Sequence, residues 1–375
     1  MVKGFHLTLL IGPAVPLPVG PDVIEALTSV SVTTNSDTGS GFQLQFTLGT
    51  RSKLHTLFLL AGGASLPLVR VVIIMTVHGT PEVLIDGVMT HHEVQPGADA
   101  GQSTLVVTGE DLSRVMDYVD FTGTPFPGMA PETRVLLILA KYAGFGLQPL
   151  VIPSVLIDLP IPTDRIPVQQ GKDLTYIRAL ADEVGYVFYV EPGPVPGVSI
   201  AYWGPEIKVG PPQKALSTNL DFATNIESVS CSFNSQGRVM PTVLIQNPFT
   251  KTPVPIPIPD ITPLNPPLGL IPPVPLNFER VDESAKYSPT RAAIIGLTKA
   301  ARSAESVTAT GTLNVARYGR VLKARRLVGL RGVGTAFDGL YYVRSVTSKI
   351  KRGEFKQDFT LSRNGLVSTL ETVPA

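Results

Sequence analysis

Cysteine is nearly absent from this chain. One residue in 375, Cys231, permits no internal disulfide and removes the secreted disulfide scaffolds from consideration. Charge is also scarce: Asp, Glu, Lys and Arg make up 16% of residues against 43% hydrophobic. A disordered chain would be more charged and less apolar. There is no uninterrupted membrane-length apolar run. The most apolar stretch, Leu54 to Val77, is broken by Gly62, Gly63, Pro67 and Arg70, so two buried elements and a turn are expected there, not a span. Lys3 followed by Leu7–Ile11 carries no convincing small-residue cleavage site and is expected to be a first strand. The phosphate-cradling Walker loop and the Gly-x-Ser-x-Gly nucleophile elbow are both missing.

What is present in excess is glycine and proline, 34 and 35 residues. So many helix breakers exclude an all-helical array, and the lack of a three-residue glycine period excludes collagen. A large, β-leaning globular chain remains, whose low charge suits a surface covered by other subunits.

The net charge of +1 hides a split. Lys286 to Arg363 holds 16 Lys and Arg against 4 Asp and Glu, while Met1 to Asp111 holds 4 against 9. A basic last third beside an acidic front favours an electrostatic partner, nucleic acid or protein.

Periodicity supplies the elements. Phe42, Leu44, Phe46 and Leu48 alternate with polar residues, and Val69–Val77 reads as a strand buried on both faces. Val83–Met89 pairs with it through the Gly79 turn. Asp111–Val119 and Pro131–Ala143 read as helices. The clearest helix follows Gly171, with Leu174, Ile177, Leu180, Ala181 and Val184 on one face and Gly185 as its stop. Tyr186–Val190, Val198–Trp203, Ile226–Phe233, Val307–Val315, Val321–Leu330, Leu340–Ile350 and Phe355–Leu361 read as strands. Ser288-Pro289 caps a helix to about Ala301.

Pro241 to Pro275 holds 12 prolines in 35 residues yet is apolar. Proline removes backbone donors, so no central strand is expected here. An extended, polyproline-like arm lying on a neighbouring surface is expected instead, with Pro255, Pro257 and Pro259 as contact residues.

Chemistry is thinly represented. His78 and His91-His92-Glu93 flank one expected hairpin and could approach each other, but they lack metal-ligand spacing. Glu110, Asp111, Asp117 and Asp120 fit a solvated helix face. Gly329, Gly332 and Gly334 fit a β turn. Cys231 alternates with Val229 and Phe233 and reads as a small buried hydrophobe. No catalytic, metal or cofactor site is expected.

The run GKDLTYIRALADEVGYVFY, Gly171 to Tyr189, resembles a recurrent segment of the phage late control D family, through Leu180, Ala181, Glu183, Gly185 and Tyr186. The ending is also similar: Ala324 to Gly329, a Gly-rich turn, then a hairpin closing at Leu361–Asn364. That family includes the central baseplate hubs of contractile tails and the hub part of type VI secretion spikes. The resemblance implies a mainly β chain with α+β insertions: two tube-like β-barrel domains and a helix-containing middle domain, closing as a homotrimeric ring. The first tube domain would be residues 1–111, the middle domain 112–206, and the second tube domain 207–240 with 307–364. Residues 241–306 would form the proline-rich arm and helix. Implied partners are an inner tube protein or tube initiator, a separate spike protein, and baseplate wedge or sheath-associated proteins. Assembly would take place in the bacterial cytoplasm, and the product would be part of a phage tail or injection particle. The charge split suggests Arg317, Arg320, Lys323, Arg325 and Arg326 as ring-interface residues. Two other functions compete: nucleic-acid binding through the basic third, and peptidoglycan hydrolysis at a tail tip.

Overall fold

The computed structural model describes residues 4–13, 15–49, 54, 58, 68–97, 103–154, 163, 166–246, 253–257, 265–275, 277–280, 296–297, 300 and 304–370. Most of the expected strands form where alternation placed them. β1 (Phe5–Gly12) and the two-residue β2 (Leu17–Pro18) precede a short helix α1 (Pro21–Ala26). Then come β3 (Leu27–Asn35), β4 (Gly41–Leu48), β5 (Arg70–Val77), β6 (Thr80–Gln95) and β7 (Ser103–Asp111). The middle of the chain supplies α2 (Pro131–Ala140), β8 (Leu147–Val151), α3 (Asp173–Glu183), β9 (Val187–Pro192) and β10 (Ser199–Gly204). The remainder is β11 (Gln213–Ser217), β12 (Ile226–Phe233), β13 (Val239–Gln246), β14 (Pro253–Pro257), β15 (Gly269–Ile271), β16 (Asn277–Arg280), β17 (Val307–Asn314), α4 (Val315–Tyr318), β18 (Leu327–Arg331), β19 (Gly339–Lys351), β20 (Glu354–Arg363) and β21 (Leu366–Ser368).

Thirteen strands make one sheet, whose main path runs β12-β17-β20-β19-β3-β4-β7-β6-β5-β1-β2, with β18 and β11 branching from β19. The two ends of the chain meet at its centre, where β3 and β19 pair antiparallel from Asn35↔Ser345 to Ser29↔Lys351. One core lies behind the front strands, with Phe46, Leu44, Leu105 and Val107 fully enclosed. A second lies behind the terminal strands, around Tyr341, Val343, Leu361 and Leu313. The third packs α2 and α3 on β8, β9 and β10, around Trp203, Ile177 and Leu139. Each such side chain stabilises the fold by about 1.5–3 kcal/mol through burial alone.

The two β halves repeat one another. β3 pairs with β4 through a bulge between Leu27 and Ser29; β12 pairs with β17 through a bulge between Ile226 and Ser228. β6 pairs with β7 through a bulge between Met89 and His91; β19 pairs with β20 through one between Val343 and Ser345. The Met89 N–H donates to the Val69 carbonyl at 2.8 Å, and the Val343 N–H to the Arg326 carbonyl at 2.9 Å. Bulges are designed features that re-aim a strand, so their coincidence is informative. It superimposes β3 on β12, β4 on β17, β7 on β20, β6 on β19 and β5 on β18. In this register Leu27–Ser36, LTSVSVTTNS, overlies Ile226–Ser235, IESVSCSFNS, and five of the ten positions are identical.

Several expectations need correction. β6 does not stop at Met89: it runs on through His91, His92 and Glu93 to Gln95. His78 lies at the β5–β6 turn and His91 near the other end of β6, so the two do not approach. Residues 321–326 are not strand; Arg325 has φ +62°, and the strand starts at Leu327. The proline-rich segment does contain a central strand. β13, which includes Pro241, lies between β14 and β16. It is possible because Pro241 lies outside the β14 register, which begins at Thr242. β14 carries proline at alternate positions, 253, 255 and 257, so one of its edges lacks donors, and among the described strands it pairs only with β13. Asp111 is buried rather than solvated: its carboxylate accepts from the Ser113 and Ser40 N–H groups at 2.9 and 2.6 Å. Residues 258–264 and 281–295, with Pro259 and the first half of the expected Ser288 helix, lie outside the described residues.

Candidate functional site

The most extensive candidate surface is one face of the large sheet. Period-2 alternation sends apolar residues of β3, β4, β7, β17, β19 and β20 into the cores and their neighbours to the opposite side. Across the strands those neighbours align in rows. One row is Ser230, Thr310, Thr360, Ser345 and Asn35; the next is Ser228, Thr312, Asp358, Thr347 and Thr33. A third continues from Lys349 through Ser31, Gln43 and Thr108 to His91. The face crosses the β3–β19 seam without a break, and over the terminal half it forms a hydroxyl-lined concavity of about 440 Å³.

Most charges on the terminal half of this face are paired locally. Lys349 meets Asp358 at 2.5 Å, and Lys356 meets Glu227 and Glu354 at 2.9 and 2.7 Å. The hydrogen bond from Lys356, assisted by Asn314, holds the Glu227 carboxyl below its ordinary pKa. A neutral hydroxyl and amide surface of this kind offers neither a cationic track for a polyanion nor an apolar seat for a protein.

Behind the face, polar clusters lock the parts of the chain together. Arg344, at the β19 bulge, reaches Glu305 at 2.5 Å, Asp37 at 2.7 Å and Glu206 at 3.8 Å. Glu305 also takes Lys208 at 2.6 Å. Arg70 and Asp86 form a two-pronged pair at 2.8 and 2.7 Å, almost fully buried, and Arg70 donates to the Gly197 carbonyl. Ser199 donates to the same Asp86 carboxylate. Arg325 lies 3.9 Å from the centre of the Tyr189 ring and donates to the Asn35 carbonyl. Tyr189 stacks on Tyr202 at 4.9 Å, and burial pushes the Tyr202 phenol up to about 12.

These contacts place the residues singled out in the sequence. Lys323 pairs with Glu82 at 2.6 Å, and the Arg325 side chain is enclosed between β halves and middle layer. The basic end and acidic front therefore meet within one chain, through Lys323–Glu82 and Arg344–Asp37. Arg317, Arg320 and Arg326 are exposed. The five family-motif residues come together as a helix stop. Leu180 and Ala181 are buried, Glu183 is exposed, and Gly185 takes φ +72°. The Tyr186 N–H then closes on the Ala181 carbonyl at 2.8 Å. Tyr186 packs edge-on against Trp203 at 4.9 Å and donates to the Pro153 carbonyl. Pro255 and Pro257 lie in β14. The arm docks on the terminal half: Leu268 joins Leu327, Leu340 and Tyr342, and the Leu268 and Gly269 N–H groups share the Asn364 side-chain oxygen. Leu270, Ile271 and Val274 stay exposed.

Among the described residues no three His, Cys, Asp or Glu side chains converge as a metal site, and no helix is long and apolar enough to cross a membrane. An apolar cleft of about 560 Å³ opens between α1 and the β19–β20 turn. Burial raises the Cys231 thiol pKa, which makes it a poor nucleophile.

Comparison with solved structures gives this fold its class. The 43 kDa tail protein of prophage MuSo2 from Shewanella oneidensis aligns at TM-score 0.62 and 15% identity, over 96% of this chain and 98% of that one. The tail protein of Neisseria meningitidis MC58 aligns at 0.60 and 13%, over 97% and 98%. An E. coli component of the type VI secretion system, itself described as similar to the T4 bacteriophage tail proteins gp27 and gp5, aligns at 0.52 and 11%, over 93% and 76%. The chain thus has a fold found in phage tail proteins and type VI secretion components. No protein-family model matches the chain, and no curated protein sequence matches it.

Proposed function

We propose that this chain is the structural hub subunit of a contractile tail or contractile injection baseplate. Three copies form a ring that joins a six-fold inner tube to a separate three-fold spike, with baseplate wedge or sheath-associated proteins around it. The observation that carries this is the internal repeat. Two equivalent β halves, fused edge to edge, give each copy two tube-like units, so three copies present six to the tube and three middle layers to the spike. The first unit would be residues 1–111, the middle layer 112–206, and the second unit 207–240 with 307–364. The neutral hydroxyl face suits the channel wall, because a passing chain or nucleic acid finds nothing on it to adhere to. Catalysis has no part in this role. The particle would be assembled in the bacterial cytoplasm.

The nucleic-acid reading loses support from Lys323 and Arg325, whose charges are engaged within the chain. The test is the solution mass of the full chain, alone and with its neighbouring spike protein. A trimer that binds spike and tube is expected; a monomer indifferent to both would overturn the proposal.

A further inference from the structure

The internal repeat leaves two strand edges unfilled. β19 is paired on one side with β20, and on the other first with β18 and then with β3. Its counterpart β6 is paired with β7 and, up to Val88, with β5. Beyond the Met89 contact to Val69, no described strand occupies the edge from Thr90 to Gln95. Among the described strands β12, the counterpart of β3, pairs with β17 alone and ends the sheet. So the chain carries one complete joint, β19 to β3, and the two separate halves of an equivalent one.

Burial at matched positions supports this. At the filled joint, Val30 and Val32 are each 2% exposed and Ser348 is 4% exposed. At the open edges their counterparts Val229 and Cys231 are only half-buried, and Val94 is 39% exposed. A strand arriving at each edge would cover Val94, Val229 and Cys231 as β3 and β19 cover Val30, Val32 and Ser348. A second copy of this chain supplies one of matching length, twist and bulge.

We infer that copies join head to tail by antiparallel pairing of β6 with β12 of the next copy, in the register of the β19–β3 seam. Transferring that register sets His91 opposite Asn234, His92 opposite Phe233, Glu93 opposite Ser232, Val94 opposite Cys231 and Gln95 opposite Ser230. The Ser36 N–H donates to the Arg344 carbonyl at 2.8 Å within the chain. Its equivalent is the Ser235 N–H on the Thr90 carbonyl across copies. The joint is heterologous, so it closes into a ring or grows open-ended; the ring rests on the hub reading above, whereas the register does not. It also consumes both exposed edges, which unpaired invite uncontrolled strand addition.

The test uses the chain's single cysteine. Directly opposed residues of an antiparallel pair have Cβ atoms about 4.5–5.5 Å apart, within reach of a disulfide after mild oxidation. Val94→Cys in the full chain, oxidised with diamide, is expected to give covalent trimers, with dimers as intermediates. Adding Cys231→Ser should abolish them. A second pair, Gln95→Cys with Ser230→Cys in the Cys231→Ser background, should also crosslink, from the hydroxyl face. Glu93→Cys, pointing to the face opposite Cys231, should not. Native trimers by mass in which neither pair crosslinks would overturn the joint and leave the hub reading standing. A chain that is monomeric by mass and never crosslinks would overturn both.

Discussion

Thr33 and Thr347 lie 314 residues apart in sequence and touch hydroxyl to hydroxyl at 3.0 Å. They mark the seam where β3 meets β19 and where the two ends of the chain become one sheet. The seam lets a single chain carry two β units in fixed orientation. It is held from behind by Arg344 and from the side by Arg325, so its rigidity is open to experiment.

Arg344→Ala would leave Glu305, Asp37 and Glu206 close together without their shared cation. Breaking a buried pair on one side costs about 3–5 kcal/mol. Arg344 is only mostly buried, so a loss of about 2–3 kcal/mol is expected, read as a lower denaturation midpoint with unchanged slope.

Asp86→Asn should be as damaging. The enclosed Arg70 guanidinium would lose the Asp86 carboxylate, at about 3 kcal/mol. Replacing both with apolar residues, Arg70→Met with Asp86→Leu, should recover much of that loss in the same assay.

Gly185→Ala tests the helix stop. Gly185 has φ +72°, where an L side chain costs about 1–2 kcal/mol. The expected outcome is a drop of that size in unfolding free energy, with the Trp203 fluorescence of the native state altered because Tyr186 shifts against it.

Alkaline pH should unfold the chain. Burial raises the phenols of Tyr142, Tyr189, Tyr202, Tyr318, Tyr341 and Tyr342. An unfolded tyrosine titrates at about 10. Between that value and the raised folded pKa, about 12 for Tyr202, the folded state binds more protons than the unfolded state. Stability therefore falls as pH rises above about 10. Phenolate absorbance and loss of secondary structure should appear in one transition.

Much of this fold was legible in the sequence, because alternation in β4, β17 and β20 and the 3.6-residue period of α3 are local signals. What was not legible was non-local. Nothing near Ser345 announces that its partner is Asn35, and pairing across such a span depends on the whole fold. The Thr90 bulge breaks the alternation of β6, so His91 to Gln95 did not read as strand. Proline 241 argued against a central strand, and only the register shows why it is tolerated at one end. The repeat of Leu27–Ser36 in Ile226–Ser235 is visible in the sequence, but ten residues of Ser, Thr and Val carry little weight until matched bulges align them. Of the basic residues expected at a ring interface, Lys323 and Arg325 also tie parts of the same chain together, which composition alone does not reveal.

The most direct measurement is an image of the assembled ring viewed along its axis by electron microscopy, with the copy number counted. Expected are three chains and six β lobes around an open channel walled by the Ser, Thr and Gln face, with β6 of each copy against β12 of the next. A two-fold dimer, or a ring with the hydroxyl face outward, would contradict it.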